Sequence, residues 1–198
     1  MSKVPSYSKV KVLVAYGTRY GATIGTAEEI ARVFSSEGFD VDVIDVKRAK
    51  IRDISEYKLV IIGSGMQIDR WTREAEGFLR KFQRELSQRK TALFVSSGTQ
   101  ALIELEGIPE RTRRARQKYL EEKAARYEVL PISMRVFGGV WDFNKMPWWS
   151  KKAMDEVKSK CNAARIPEAK LGVYDTRDWE DIRNWAKELV NQMREEVI

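Results

Sequence analysis

The chain has no histidine and a single cysteine, Cys161, in 198 residues. The first absence removes imidazole metal ligands, histidine-based triads and the commonest general base together. The second excludes an internal disulfide and any cysteine-rich metal or iron–sulfur centre. Redox chemistry, if the protein performs any, must therefore be carried by a bound organic cofactor. No apolar run reaches membrane-spanning length, and residues 1–8 lack the basic-then-apolar character of a signal peptide, so the sequence reads as soluble, intracellular and cytoplasmic. Two familiar nucleotide loops are missing as well. No Lys-Ser/Thr pair follows the early glycines, which excludes GxxxxGK[ST], and the spacing of Gly17, Gly21 and Gly25 does not give GxGxxG.

What is present begins with Lys9 to Tyr16, a strand pattern that runs into Gly17-Thr18-Arg19-Tyr20-Gly21-Ala22-Thr23 and then a helix starting near Ala22. Backbone N–H groups of such a turn converge on one point, where the helix also carries partial positive charge. That point suits a phosphate, with the Thr18 and Thr23 hydroxyls completing the cage.

Beyond it, strand-like and helix-like periods alternate, the pattern of βαβ units in an α/β sheet. Strands are expected at Val41–Val46, Leu59–Ile62, Thr91–Val95 and Ile132–Phe137, with helices carrying inward faces at Ala27–Phe34, Ala75–Leu86 and Trp179–Met193. This order predicts a doubly wound, five-stranded parallel sheet of order 2-1-3-4-5, with its ligand at the carboxyl ends of the strands. Small polar residues gather there: Gly17 to Thr23 after the first strand, Ser64, Gly65, Met66, Gln67 and Ile68 after the third, and Ser96, Ser97, Gly98, Thr99 and Gln100 after the fourth. A response-regulator receiver shares this topology but needs acidic residues where this chain has Gly17-Thr18 and Gly63-Ser64.

Net charge is +7 and the pI near 9.4, a modest basic bias. Its densest run, Arg111 to Lys118, is soon followed by Glu121, Glu122 and Glu128, so it reads as a solvated helix face. No nucleic-acid motif accompanies it, and no nucleic-acid partner is expected.

The Thr18–Thr23 loop resembles the T-x-T-G-x-T phosphate loop of flavodoxins, with Tyr20 replacing the middle threonine. With Val60-Ile61-Ile62-Gly63-Ser64, the Arg-rich segment 109–118, Val136-Phe137-Gly138-Gly139 and Asp178-Trp179-Glu180-Asp181, nearly the whole chain is similar to the flavodoxin-domain family. That family includes the menaquinone-dependent protoporphyrinogen oxidases and long-chain flavodoxins of archaea and bacteria. The resemblance implies one domain, a flavodoxin-like fold and one non-covalent FMN. The FMN phosphate would lie on Thr18, Arg19, Tyr20, Gly21, Ala22 and Thr23, and its ring between the loops at 64–68 and 97–100. No aromatic lies within 64–68, so Trp71, Trp141 or an aromatic of the insertion is left to stack on the ring, unless Met66 and backbone cover it.

That insertion, residues 140–171, follows the fifth strand. Trp149, Ala153, Val157 and Cys161 recur every four residues, giving a short amphipathic helix with a largely basic polar face. It suits clamping of the ring, docking of a redox partner, contact with an anionic membrane at the inner face, or packing on the domain or a second subunit. The expected function is electron transfer between redox partners such as a ferredoxin or donor oxidoreductase, since no residue stands out as catalytic acid, base or nucleophile. Quinone-linked oxidation of protoporphyrinogen IX is the alternative, with arginines of the 111–118 run meeting propionates. A binding module that lost the flavin comes third.

Overall fold

A computed structural model describes residues 10–66, 69–105, 107–145 and 151–195. Its centre is a parallel sheet of order β2-β1-β3-β4-β5, as expected, formed by β1 (Lys11–Gly17), β2 (Asp40–Asp45), β3 (Tyr57–Gly65), β4 (Lys90–Ser97) and β5 (Ser133–Gly138). Successive strand residues point to opposite faces, so one sheet organises two cores. Val12, Val14, Tyr16, Leu59 and Ile61 face α1 (Ala22–Ser36) and the last helix, through Ile30, Phe34, Trp185 and Leu189. Leu13, Ala15, Val60 and Ile62 face the other way, against Phe78 and Leu79 of α2 (Arg73–Lys81) and, beyond the short α3 (Gln83–Leu86), Ala115, Tyr119 and Leu120. Helix placement therefore changes face between the β1 and β3 crossovers, which opens a crevice at the strands' carboxyl ends.

Two elements depart from the expectation. Ser96 and Ser97 continue β4 in register with Gly65 and Gly138, and α4 (Gly98–Leu105) starts at once, so the fourth-strand loop is a helix start. The following α5 (Pro109–Arg116) and α6 (Glu122–Arg126) are joined by a π-helical turn, Gln117–Glu121. The second departure is a three-stranded antiparallel sheet, two strands of which lie in the 140–171 insertion, where only a helix is expected, and the third just after it. It has the order β6-β8-β7, from β6 (Val140–Asp142), β7 (Glu168–Lys170) and β8 (Val173–Asp175). The expected helix is there too, α7 (Lys151–Ala163), and α8 (Trp179–Arg194) closes the chain. Cys161 is fully buried with Leu102 and Tyr174, against Trp141, Phe143 and Val157. Met146 to Trp149 of the insertion, and Gln67 and Ile68, lie outside the described residues.

Candidate functional site

The β1–α1 turn is built by close backbone approach. A Cβ on Gly17 would fall 2.1 Å from Thr72 Oγ1, so the end of β1 can press against the start of α2 only as glycine. Gly21, at φ +93°, turns the chain into α1 in a conformation that glycine adopts without strain. Thr18 Oγ1 accepts a hydrogen bond from the Gly21 amide at 3.0 Å. α2 is capped by Thr72, whose hydroxyl accepts from the Ala75 amide at 3.3 Å, and α8 by Asp178, which accepts from the Glu180 and Asp181 amides at 2.9 and 3.0 Å. No side chain among the described residues caps α1. Its electropositive N-terminus is thus available at the sheet edge.

Thr23 sharpens this. It is fully buried, packs against Gly65, and its hydroxyl has no hydrogen-bond partner among the described residues. Buried polar groups are rarely left unmet, and the cost is about 1–3 kcal/mol. A phosphate oxygen would satisfy it, so the residues present fit the group that the loop sequence suggested. Arg19 is exposed, its guanidinium 5.9 Å from the Tyr20 ring centroid. Two cations from the far end of the chain reach this turn through its carbonyl oxygens. Lys145 Nζ donates to Tyr20 O at 3.3 Å, and Arg177, held by Asp175, donates to Ala22 O at 3.1 Å.

The loop after β3 is tied differently. The Ser64 hydroxyl accepts from the Thr72 amide at 2.9 Å and donates to Gly65 O at 3.0 Å, so it organises the loop rather than facing the crevice. The Met66 amide donates to Ser96 O at 3.0 Å. Asp69 sits at φ +58°, a left-handed conformation that aspartate tolerates. Its carboxylate accepts from Lys118 Nζ at 2.9 Å and from the Tyr119 hydroxyl at 2.5 Å. These bonds hold the Asp69 carboxyl below its ordinary range, while burial, then Asp69, pushes the Tyr119 phenol up. Trp71 is 4% exposed and donates its indole N–H to Tyr119 O at 2.7 Å. It belongs to the core and is not the stacking aromatic that the sequence left open.

At the end of β4, Ser97 and Gln100 are buried and Thr99 is exposed. Gln100 Nε2 donates to Glu104 at 2.7 Å, but its Oε1 has no partner. A Cβ on Gly98 would lie 2.5 Å from Trp141 Nε1, so the indole rests directly on the glycine. Trp141 stacks on Phe143 with centroids 6.4 Å apart, and its buried Nε1 is also unpartnered. Beside it opens a groove of about 390 Å³. Leu102, Ile103, Ala115, Tyr119, Trp141 and Val157 supply apolar surface, and Arg111, Arg114, Lys118 and Lys160 supply cations, with Asp69 and Thr99. The sequence reads the arginine run as a solvated face and gives it to propionates only under the alternative function. Only the packing of α4, α5, the π turn, β6 and α7 brings these side chains together, and no local pattern announces that.

Residues 13–164 match the family model of the flavodoxin domain. The chain belongs to the flavodoxin-domain family. It is 25% identical over 182 residues to the protoporphyrinogen IX dehydrogenase [quinone] of Escherichia coli strain K12, covering 92% of this chain and 96% of that protein. Among solved structures it is similar to a flavodoxin from the domain Archaea, at 21% identity and TM-score 0.46 over 64% of this chain and 83% of that one. It is also similar to the two-electron reduced flavodoxin of Megasphaera elsdenii, at 19% identity and TM-score 0.47 over 76% and 98% of the two chains. No helix among the described residues is long and apolar enough to cross a membrane.

Proposed function

We propose that this protein binds FMN at the crevice and oxidises a cyclic, largely apolar substrate bearing carboxylates, of the protoporphyrinogen type, passing the electrons to a quinone. The groove beside Gly98 and Trp141 carries this reading. An electron carrier needs an exposed cofactor edge and no substrate pocket. Here apolar surface with cations converging on it adjoins the expected ring site. Bound FMN supplies two-electron redox chemistry.

The chain's own residues bind and position. Thr18, Arg19, Tyr20, Gly21, Ala22 and Thr23 would hold the phosphate, with the Thr23 hydroxyl gaining the acceptor it lacks. Gly65, Met66, Ser97, Gly98, Thr99 and Gln100 would border the ring, with Trp141 as the aromatic beside it. The unpartnered Trp141 N–H and Gln100 Oε1 are a donor and an acceptor suited to the polar edge of a flavin. Arg111 and Arg114 would meet substrate carboxylates, while Leu102, Ile103 and Val157 exclude water from the macrocycle. Oxidation of a porphyrinogen asks little acid–base apparatus of the protein, which agrees with a groove free of histidine.

The test is an absorbance spectrum during stepwise anaerobic reduction, followed by protoporphyrinogen IX offered to the oxidised protein. Flavin bands with porphyrin formed well above the autoxidation control are expected. Reversible flavin cycling with no porphyrin beyond that control would return the reading to an electron carrier serving a ferredoxin or donor oxidoreductase. No flavin after added FMN would leave only a binding module.

A further inference from the structure

Arg70 and Trp71, which follow Asp69 in the chain, line a separate cavity of about 900 Å³ together with Thr18, Arg19, Lys47, Thr72, Arg73, Glu74 and Glu76. Cations reach it from three directions. Arg19 follows β1, Lys47 follows β2, and Arg70 and Arg73 flank the start of α2. Several other surface cations of this chain pair with carboxylates, as in Lys11–Glu56 at 2.9 Å, Arg114–Glu110 at 3.2 Å and Lys160–Glu156 at 3.0 Å. Among the described residues, Arg19, Lys47, Arg70 and Arg73 form no ion pair. Of the cavity's two carboxylates, Glu76 is engaged by Lys123 and Tyr127, whereas Glu74 has no ion-pair partner among the described residues.

Concentrated positive charge in a concave site selects an anion, and the planar arginine forks favour phosphate oxygens. The volume lies in the upper range for small-molecule pockets, far beyond what a single phosphate fills. Glu74 adds selectivity. It repels a bare polyphosphate but accepts hydrogen bonds from hydroxyls such as those of a ribose. We infer that this cavity is a second ligand site, which takes a nucleoside diphosphate group: phosphates on Arg70, Arg73 and Lys47, and ribose hydroxyls on Glu74, with Arg19 left to the β1 turn. The site adjoins Thr18 but does not use the Thr23 hydroxyl or the groove beside Trp141, and so stands apart from the substrate reading.

The experiment is calorimetric titration of FMN-loaded protein with ADP and with tripolyphosphate, while flavin absorbance reports whether FMN is released. ADP should bind once per chain without releasing FMN, and Arg70→Gln with Arg73→Gln should weaken it about 30-fold, as loss of charge-assisted bonds does. Glu74→Gln should weaken ADP and strengthen tripolyphosphate, opposite signs that misfolding cannot produce. Stoichiometric release of FMN by ADP, equal responses of both probes to Glu74→Gln, or no saturation at millimolar ADP would each overturn the assignment. Should FMN fail to load, the flavin-free protein still decides it: ADP binding lost in the arginine variant but retained in Thr23→Val supports this site while the cofactor reading falls.

Discussion

The two ends of the crevice are made in different ways. At the β1 end the binding surface is mostly backbone: an uncapped helix start, a left-handed glycine and one buried hydroxyl, all within seven consecutive residues. At the β4 end it is mostly side chain, assembled from positions as far apart as Asp69, Leu102, Arg111, Trp141 and Lys160. The first design fixes an invariant chemical group, since a phosphate is the same in any ligand. The second can be changed one side chain at a time, which is how a shared fold comes to serve different substrates.

If the ends are separable, substitutions should divide cleanly between them. Trp141→Ala should have the largest effect. It removes the ring packed on Gly98 and Phe143, and about 3 kcal/mol of stability should be lost in denaturant unfolding while FMN affinity falls less than about tenfold. A loss of FMN binding beyond about 100-fold would show the two ends to be one unit. Thr23→Val should do the reverse. It keeps the side-chain shape, weakens FMN about 30-fold by fluorescence titration, and leaves the flavin-free protein equally or more stable, because the buried hydroxyl there has no partner. A flavin-free protein destabilised by more than about 1 kcal/mol would mean that the hydroxyl has a structural bond.

Next in size, Arg111→Gln with Arg114→Gln should raise KM for protoporphyrinogen about tenfold, with FMN affinity unchanged, and an unaltered KM would remove these arginines from substrate recognition. The smallest effect belongs to Asp69→Asn. The native carboxyl is held below its ordinary value, so its stabilisation is present above about pH 4 and lost as pH falls through the native value. Since this side chain is 58% exposed, solvent screening limits the difference to about 0.5 kcal/mol. The stability gap between native and variant should be constant near neutrality and close in acid. A gap that widens in acid would contradict the Lys118 and Tyr119 contacts as its cause.

The contrast also explains what could be read from residues alone. The strands β1, β3 and β4 are legible because buried strands are short apolar runs ended by glycine or serine, and the β1 turn is legible because its chemistry is contiguous. The small antiparallel sheet is not, since strands of three residues, such as Val140–Asp142, are too short to show a period. The start of α4 is hidden because Ser96-Ser97-Gly98-Thr99 is a turn composition by propensity, which strand pairing with Gly65 and Gly138 overrides. Trp71 could not be told from a stacking aromatic until its N–H was found on Tyr119 O. The arginine run reads first as a solvated face, with propionate binding only its second reading, because its apolar neighbours in the groove lie on other elements.

The contacts of Lys145 with Tyr20 O and of Arg177 with Ala22 O join residues 125 and 155 positions apart. They bear on time rather than on affinity. The segment carrying the small sheet cannot open fully without releasing the carbonyls that shape the β1 turn. Its local unfolding should therefore set the residence time of whatever that turn holds. By the same linkage, a ligand on the turn should slow proteolytic nicking of that segment.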